Sequence, residues 1–381
     1  GNSIDLMRLL MVLEEHGIRI AYSDAFNNTT PRAMARLVGV RQHTNTENGI
    51  KEYRIDDNYN YDAIHHLLEN PPPSASPCQL GDVLLTGATG FLGVYVLRYL
   101  MLHTNSRICC CVRADSATNA MMRLRENMEY YFPDEMDCLL TDRLSVVAAD
   151  IRTINPDTLP FRPSTIIHCA AHVAHFGHKD EIDNINNGGT EHIVCLCRLC
   201  DAFLVHVSTL GVGGMLPDGS MTTLTERRLW QGQIFPNPYQ RSKFLAERTV
   251  LENMANGSLK AMIMRIGNIV EAAGGRRQRN ASTNAFRSTV EQAMALGCYP
   301  EICRQINIDL SPVDVVAQRV VTDPCLGNGI IHNVVIGEEK PLSDIICSLY
   351  SGSSPMRCVS NDEFVSIARS HGLTPYIKAY V

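Results

Sequence analysis

From residue 83 onward, short unbroken apolar runs alternate with longer mixed stretches, and this rhythm predicts the architecture. Residues 83–85, 108–112, 144–149, 165–168 and 204–207 show no inside–outside alternation, as expected of strands covered on both faces. Helix-length segments such as 91–102 lie between them. Strands and helices taken in turn predict an α/β fold, a doubly wound parallel sheet. Before residue 80 the pattern differs. Residues 4–15 carry apolar groups at helical spacing, with Ser3 at the N-cap position and His16-Gly17 ending the run. Thr30-Pro31 opens a second helix over 32–38, with the proline in its first turn. Residues 41–79 read as a connector. Residues 41–61 are polar and irregular, 61–68 suit a short helix, and Pro71-Pro72-Pro73-Ser74-Ala75-Ser76-Pro77 makes a stiff spacer.

The stretch Val83-Leu84-Leu85-Thr86-Gly87-Ala88-Thr89-Gly90-Phe91-Leu92-Gly93 organises the rest. A buried strand runs into glycines at 87, 90 and 93, and a helix follows. Glycine permits a sharp turn and close approach to a bound group, while the helix start offers free N–H groups to a pyrophosphate. Strand, G-x-x-G-x-x-G and helix in that order predict a dinucleotide site. Arg113 ends the second strand, about 20 residues past the last glycine, where an acidic side chain would select NAD. An arginine there suits the 2′-phosphate of NADP, and Arg123 on the next helix is a second candidate partner. Asp150 and Ile151, after the third strand, stand where an adenine would lie. The small Ala170 and Ala171, after the fourth, let a cofactor lie close to the strand end.

Composition narrows the picture. A net charge of −6 with scattered Lys and Arg gives no reason to expect nucleic acid. Residues 83–102 are apolar, but the glycines, Thr86, Thr89 and Arg98 fit a strand-turn-helix better than a membrane span. The chain starts directly in an amphipathic pattern, with no signal-peptide pattern. Its 14 cysteines lie in apolar runs, so reduced, mostly buried thiols in a cytoplasmic protein are expected. His168, His172, His175 and His178 have a spacing that metals use, but the run leaves a strand for a loop and lacks a completing carboxylate or cysteine. No metal is expected. Cys197-x-x-Cys200 lies on an apolar helix and reads as core packing.

Ser208-Thr209 stands at the C-terminal end of the fifth strand, where such sheets bind ligands. Asn237-Pro238-Tyr239-Gln240-Arg241-Ser242-Lys243 opens a helix, and Tyr239 and Lys243, four apart, share a face. A nearby ammonium favours a phenolate, so Lys243 is expected to lower the Tyr239 pKa and to hold a nicotinamide ribose.

These residues carry a resemblance. L-L-T-G-A-T-G-F-L-G (84–93), C-C-V-R-A-D-S (110–116), R-L-R-E-N (123–127), N-N-G-G-T (186–190), V-S-T-L-G-V (207–212), N-P-Y-Q-R-S-K-F-L-A-E (237–247), R-I-G-N (265–268) and S-P-V-D-V-V-A (311–317) resemble the extended short-chain dehydrogenase/reductase family. More narrowly, the chain resembles the thioester reductase domain that ends some nonribosomal peptide synthetases. The resemblance implies Thr209, Tyr239 and Lys243 as a catalytic triad, with Thr209 chosen over Ser208 by its distance from Val212. It implies Gly87, Thr89, Gly90, Phe91, Leu92 and Gly93 as the phosphate loop, and Arg113 and Arg123 as NADPH-phosphate contacts. Cys169 stands where the family often has asparagine. The N-terminal G-N-S-I-D-L-M-R-L-L, G-I-R-I and D-A-F-N-N-T-T-P-R-A-M-A-R-L are similar to the latter part of a peptidyl carrier domain. There Ser3 matches the serine that bears phosphopantetheine, with Asn2 departing from the family's Asp or His; a plain helix cap also explains it.

The implied layout is a partial carrier domain over 1–40, a linker over 41–79, a Rossmann-type NADP-binding domain over 80–313 and a smaller substrate-binding lobe over 314–381. The implied activity is NADPH-dependent release of a carrier-bound acyl or peptidyl thioester as an aldehyde, with further reduction to an alcohol open. A monomer fed by upstream synthetase modules of the same chain, without nucleic-acid or membrane partners, is expected. A reductase of fatty acyl-CoA, a nucleotide-sugar enzyme and a non-catalytic NADP-binding regulator remain alternatives.

Overall fold

The computed structural model describes residues 53–55, 58–72, 79–173, 179–218, 220–279, 285–327, 329–337, 339–352 and 354–373. Ser3 and the helices expected at 4–15 and 32–38, with His175 and His178, lie outside the described residues.

Seven strands form one parallel sheet: β1 (Val83–Thr86), β2 (Ile108–Val112), β3 (Leu144–Ala148), β4 (Thr165–His168), β5 (Phe203–Thr209), β6 (Ala261–Ile266) and β8 (Ile331–Val334), with β7 (Cys298–Pro300) in a smaller lobe. Their order is β8-β6-β5-β4-β1-β2-β3. The strand order reverses beside β1, between β1 and β4, where a crevice opens at the carboxyl ends. β1, β2, β4 and β6 are buried at every position. Their predominantly apolar sequences reflect helices on both faces, with Thr86, Thr165, His168 and Arg265 as the buried polar exceptions. One face is covered by α2 (Phe91–His103), α3 (Ala117–Tyr131) and α7 (Val313–Thr322), around Leu85, Leu97, Leu124 and Val320. The other is covered by α1 (Asp62–Glu69), α4 (Gly189–Cys200) and α5 (Pro238–Ala255), around Leu84, Ile166, Cys197 and Phe244. The Cys109–Cys111 run is buried on β2, and Cys197 and Cys200 are buried on α4. No helix among the described residues is long and apolar enough to cross a membrane.

A smaller lobe has its own core, built from Val290, Cys303, Ile308, Leu342, Ile346 and Phe364. It holds α6 (Ala285–Leu296), β7, α8 (Leu342–Leu349), β9 (Arg357–Val359) and α9 (Asn361–Ser370), with β9 parallel to β7. Two expected boundaries therefore move. The border expected at 313/314 falls inside the large domain: α7 packs on α2, and β8 joins β6. The lobe instead begins near α6 and resumes after β8. Chain order misleads here because the polypeptide crosses between the two cores more than once.

The expected linker over 41–79 is also partly structural. Tyr53 N–H donates to Phe235 O at 3.2 Å, and Arg241 Nε donates to Arg54 O at 3.1 Å. Ile55, Tyr61, Ile64 and Leu68 are buried against α5. The Tyr61 ring stacks on Trp230 at 5.4 Å between centroids and meets Phe244 edge-on at 6.3 Å. The short helix expected at 61–68 forms as α1, and its apolar face is what docks it.

Candidate active site

The phosphate turn is wedged between β1 and β4. Gly87 adopts φ +76°, and a Cβ there would lie 2.6 Å from Ala170 N. Gly90 N–H donates to Gly87 O at 2.8 Å and closes the turn. A Cβ on Gly93 would lie 2.0 Å from Gly87 O, so only glycine lets α2 start this close to the turn. Gly90 is the N-cap of α2 and supplies no side-chain cap, which leaves the first amides of Phe91 and Leu92 for an anion. Asn127 Nδ2 donates to Thr89 O at 3.2 Å and holds the turn from α3. Thr86 Oγ1 accepts from Ala170 N–H at 3.2 Å and pairs with His168 Nδ1 at 2.7 Å, which fixes Ala170 and Ala171 beside the turn. His168 Nε2 lies 3.3 Å from Thr190 Oγ1, so this histidine braces the strand end. These features fit a dinucleotide pyrophosphate.

Arg113 and Arg123 are both exposed beyond β2, and Arg123 Nη1 donates to Arg113 O. Asp115, two residues past Arg113, accepts from Asn119 Nδ2 at 2.5 Å at the start of α3. Asp150 is paired to Arg152 at 2.8 Å, and that hydrogen bond, against burial, holds its carboxyl down at about 2. Ile151 packs against Gly189, where a Cβ would come within 2.5 Å.

Asn237 caps α5 by accepting from Gln240 N–H at 2.9 Å, and Pro238 occupies the first turn. This start places Tyr239 at the mouth of the helix. Lys243, one turn on, is buried; its Nζ donates to Val207 O at 2.8 Å and lies 3.2 Å from His206 Nε2. The helix face bearing Tyr239 and Lys243 is thus tied to the strand end bearing Thr209. Thr209 Oγ1 accepts from Gly211 N–H at 3.2 Å, which leaves its hydroxyl proton to donate outward. Ser208, the alternative, is buried, and its Oγ has no partner among the described residues.

One electrostatic expectation is corrected. Burial pushes the Tyr239 phenol up to about 12 instead of the ammonium pulling it down. The same burial pulls Lys243 down to about 8, with Glu247 and Cys169 opposing. Desolvation sets the direction, because burial disfavours the charged phenolate.

Sequence reasoning missed three supports. Asn186, in a π-turn before α4, donates to Ser242 Oγ at 2.8 Å and accepts from His172 N–H at 2.7 Å. Ser242 Oγ in turn donates to Tyr239 O at 2.7 Å. The N-N-G-G-T segment carried that signal. His206 carried none, because a histidine in a strand does not announce its partner. Glu247 and Arg265 form a buried ion pair at 2.7 Å that staples α5 to β6.

Residues 85–320 match the NAD-binding family described as Male sterility protein. The reductase domain of an aureusimine biosynthetic cluster is 30% identical, with a TM-score of 0.72, over 85% of this chain and 86% of that one. A thiolation-reductase di-domain from an archaeal nonribosomal peptide synthetase is 28% identical, with a TM-score of 0.74, over 100% of this chain and 81% of that one. An isonitrile lipopeptide synthase of Streptomyces coeruleorubidus is 30% identical over 248 residues, 63% of this chain; the chain spans only 16% of its length. This chain belongs to the Male sterility protein family of NAD-binding oxidoreductases, as a reductase domain of the kind found in nonribosomal peptide synthetases.

Proposed function

We propose that the chain uses NADPH to reduce an acyl or peptidyl thioester, carried on phosphopantetheine, and so releases it from a synthetase as an aldehyde. The observation that carries this reading is the Lys243–Val207 hydrogen bond, which brings the Tyr239 face of α5 to the strand end bearing Thr209. Likeness over the whole chain to a thiolation-reductase di-domain, and a carrier-like start containing Ser3, support a tethered substrate. Exposed Arg113 and Arg123 support the 2′-phosphate form of the cofactor, and the Gly87–Gly93 turn would hold the pyrophosphate.

Bound NADPH would supply a hydride to the thioester carbonyl carbon. The Thr209 hydroxyl and Tyr239 phenol donate hydrogen bonds to the carbonyl oxygen as it gains charge, a stabilisation worth most in a site built before the reaction. Tyr239 then delivers its proton to that oxygen. A phenol held near 12 is fully protonated at neutral pH, which suits a donor in the reducing direction. The hemithioacetal breaks at its C–S bond to give an aldehyde and the free thiol. A second round on the aldehyde gives an alcohol. Lys243 would hold the nicotinamide ribose. The lobe built on α6, α8 and α9 is the substrate-binding part.

The test is loss of NADPH absorbance with an acyl-pantetheine thioester, beside acyl-CoA and NADH controls, with products identified by mass spectrometry. Tyr239→Phe is expected to lower kcat by about 10²–10⁴-fold and leave NADPH affinity near wild type. Full turnover by that variant refutes the assignment.

A further inference from the structure

His206 lies on β5, two residues before Ser208, and is fully buried. Its Nε2 is 3.2 Å from Lys243 Nζ, and its Nδ1 has no partner among the described residues. The groups facing this pair are few. His168, on neighbouring β4, has its ring centroid 5.4 Å away but spends both nitrogens on Thr86 and Thr190. Cys169, at the end of β4, is kept a neutral thiol by burial, which pushes it up to about 12. Glu247, one turn along α5, gives its carboxylate to Arg265. No carboxylate among the described residues hydrogen-bonds the Lys243 ammonium; Val207 O and His206 do.

The hydrogen-bond count gives His206 a role. An ammonium has three donors and no acceptor. Val207 O takes one donor, so an imidazole facing the ammonium must offer a lone pair at Nε2. Burial holds His206 well below its usual pKa, so the ring is neutral. Its single proton then sits on Nδ1, buried and unmatched. A leucine or phenylalanine would fill this strand position without that unmatched donor, so packing alone does not account for histidine.

We propose that His206 is a positioning residue of the active site. Its Nε2 accepts from the Lys243 ammonium and fixes that group at the end of β5, which leaves one N–H for the nicotinamide ribose. The proposal rests on the reading of Lys243 given above. His206 touches neither substrate nor reacting atoms; it acts through Lys243 by holding the cation in place and keeping it charged.

The test uses the full chain and NADPH titrations followed by fluorescence across neutral to basic pH. Wild-type affinity should weaken as pH rises through about 8, where Lys243 loses its proton. His206→Phe keeps the ring and removes the acceptor. It should weaken NADPH binding about tenfold and move the basic limb down by about one pH unit or more, since a lost charge-assisted bond destabilises the ammonium. His206→Gln restores an acceptor and should recover most of both. Unchanged affinity and limb in His206→Phe, or a His206→Gln variant as impaired as His206→Phe, would overturn the proposal. If His206→Phe does not fold, imidazole ¹⁵N spectra of the wild type decide: the Nδ1–H tautomer is required, and the Nε2–H tautomer refutes it. A chain that binds NADPH but reduces no thioester would remove the function proposed above, and these binding and tautomer readouts would still judge His206.

Discussion

Gly93→Ala tests the geometry of the phosphate turn. The added Cβ would meet Gly87 O at 2.0 Å, Gly87 C at 2.6 Å and Ala88 Cα at 3.1 Å. All three are backbone atoms, so no side chain can swing aside. An ordinary C···O contact needs about 3.3 Å, so turn and helix must separate by more than about 1 Å. The turn cannot retreat toward β4, because Gly87 already sits against Cys169 and Ala170; a Cβ on Gly87 would lie 2.6–2.7 Å from that backbone. The helix must move instead, and α2 is fixed in the core by Val94, Leu97 and Leu100, all fully buried. Overpacking of this kind costs about 1–3 kcal/mol of stability. The same displacement carries the amides of Phe91 and Leu92 off the pyrophosphate, so NADPH affinity should fall about 100-fold, equivalent to about 2.8 kcal/mol. Fluorescence titration with NADPH and urea denaturation read the two effects. Affinity within twofold of wild type with an unshifted denaturation midpoint would refute the claim that Gly93 is required for close packing.

Arg113→Ala should weaken NADPH about 10–100-fold, the loss of a charge-assisted contact, and leave NADH unchanged; an equal effect on both cofactors would place the 2′-phosphate elsewhere. Ile64→Ala should lower stability by about 2–5 kcal/mol by denaturant unfolding, because Ile64 on α1 is buried to 1% exposure against the main domain; a free linker would show no change. The pH profile of kcat/KM should fall through about 8, set by Lys243, and not by Tyr239, which stays protonated to about 12. Lys243 also marks stability. Its folded value lies below the ordinary 10.5, so the unfolded chain binds more protons between about 8 and 10.5, and Lys243 contributes a gain in stability as pH rises across that window, measurable against Lys243→Met.

Local pattern by itself determined the first five strands of the sheet and the turn. Strands buried on both faces are predominantly apolar, so β1, β2, β4 and β5 stand out as short runs, even with His168 and His206 buried in β4 and β5. Gly87 and Gly93 are legible because backbone geometry there tolerates no Cβ. Asn237 and Pro238 mark the start of α5, and with it the shared face of Tyr239 and Lys243.

Tertiary structure alone decided the rest, because it depends on which distant groups meet. The chain returns to the main sheet at α7 and β8 after entering the small lobe, and no local signal in 313–334 says which core will take its apolar face. Residues 53–70 read as a connector with a short helix at 61–68, and nothing in them names Trp230 and Phe244 as the surface they dock against. The Tyr239 phenol was expected to be lowered by its neighbouring cation and is raised instead. Sequence supplies the neighbour, whereas the depth of burial and the Lys243 bonds to Val207 and His206 come only from the packed site.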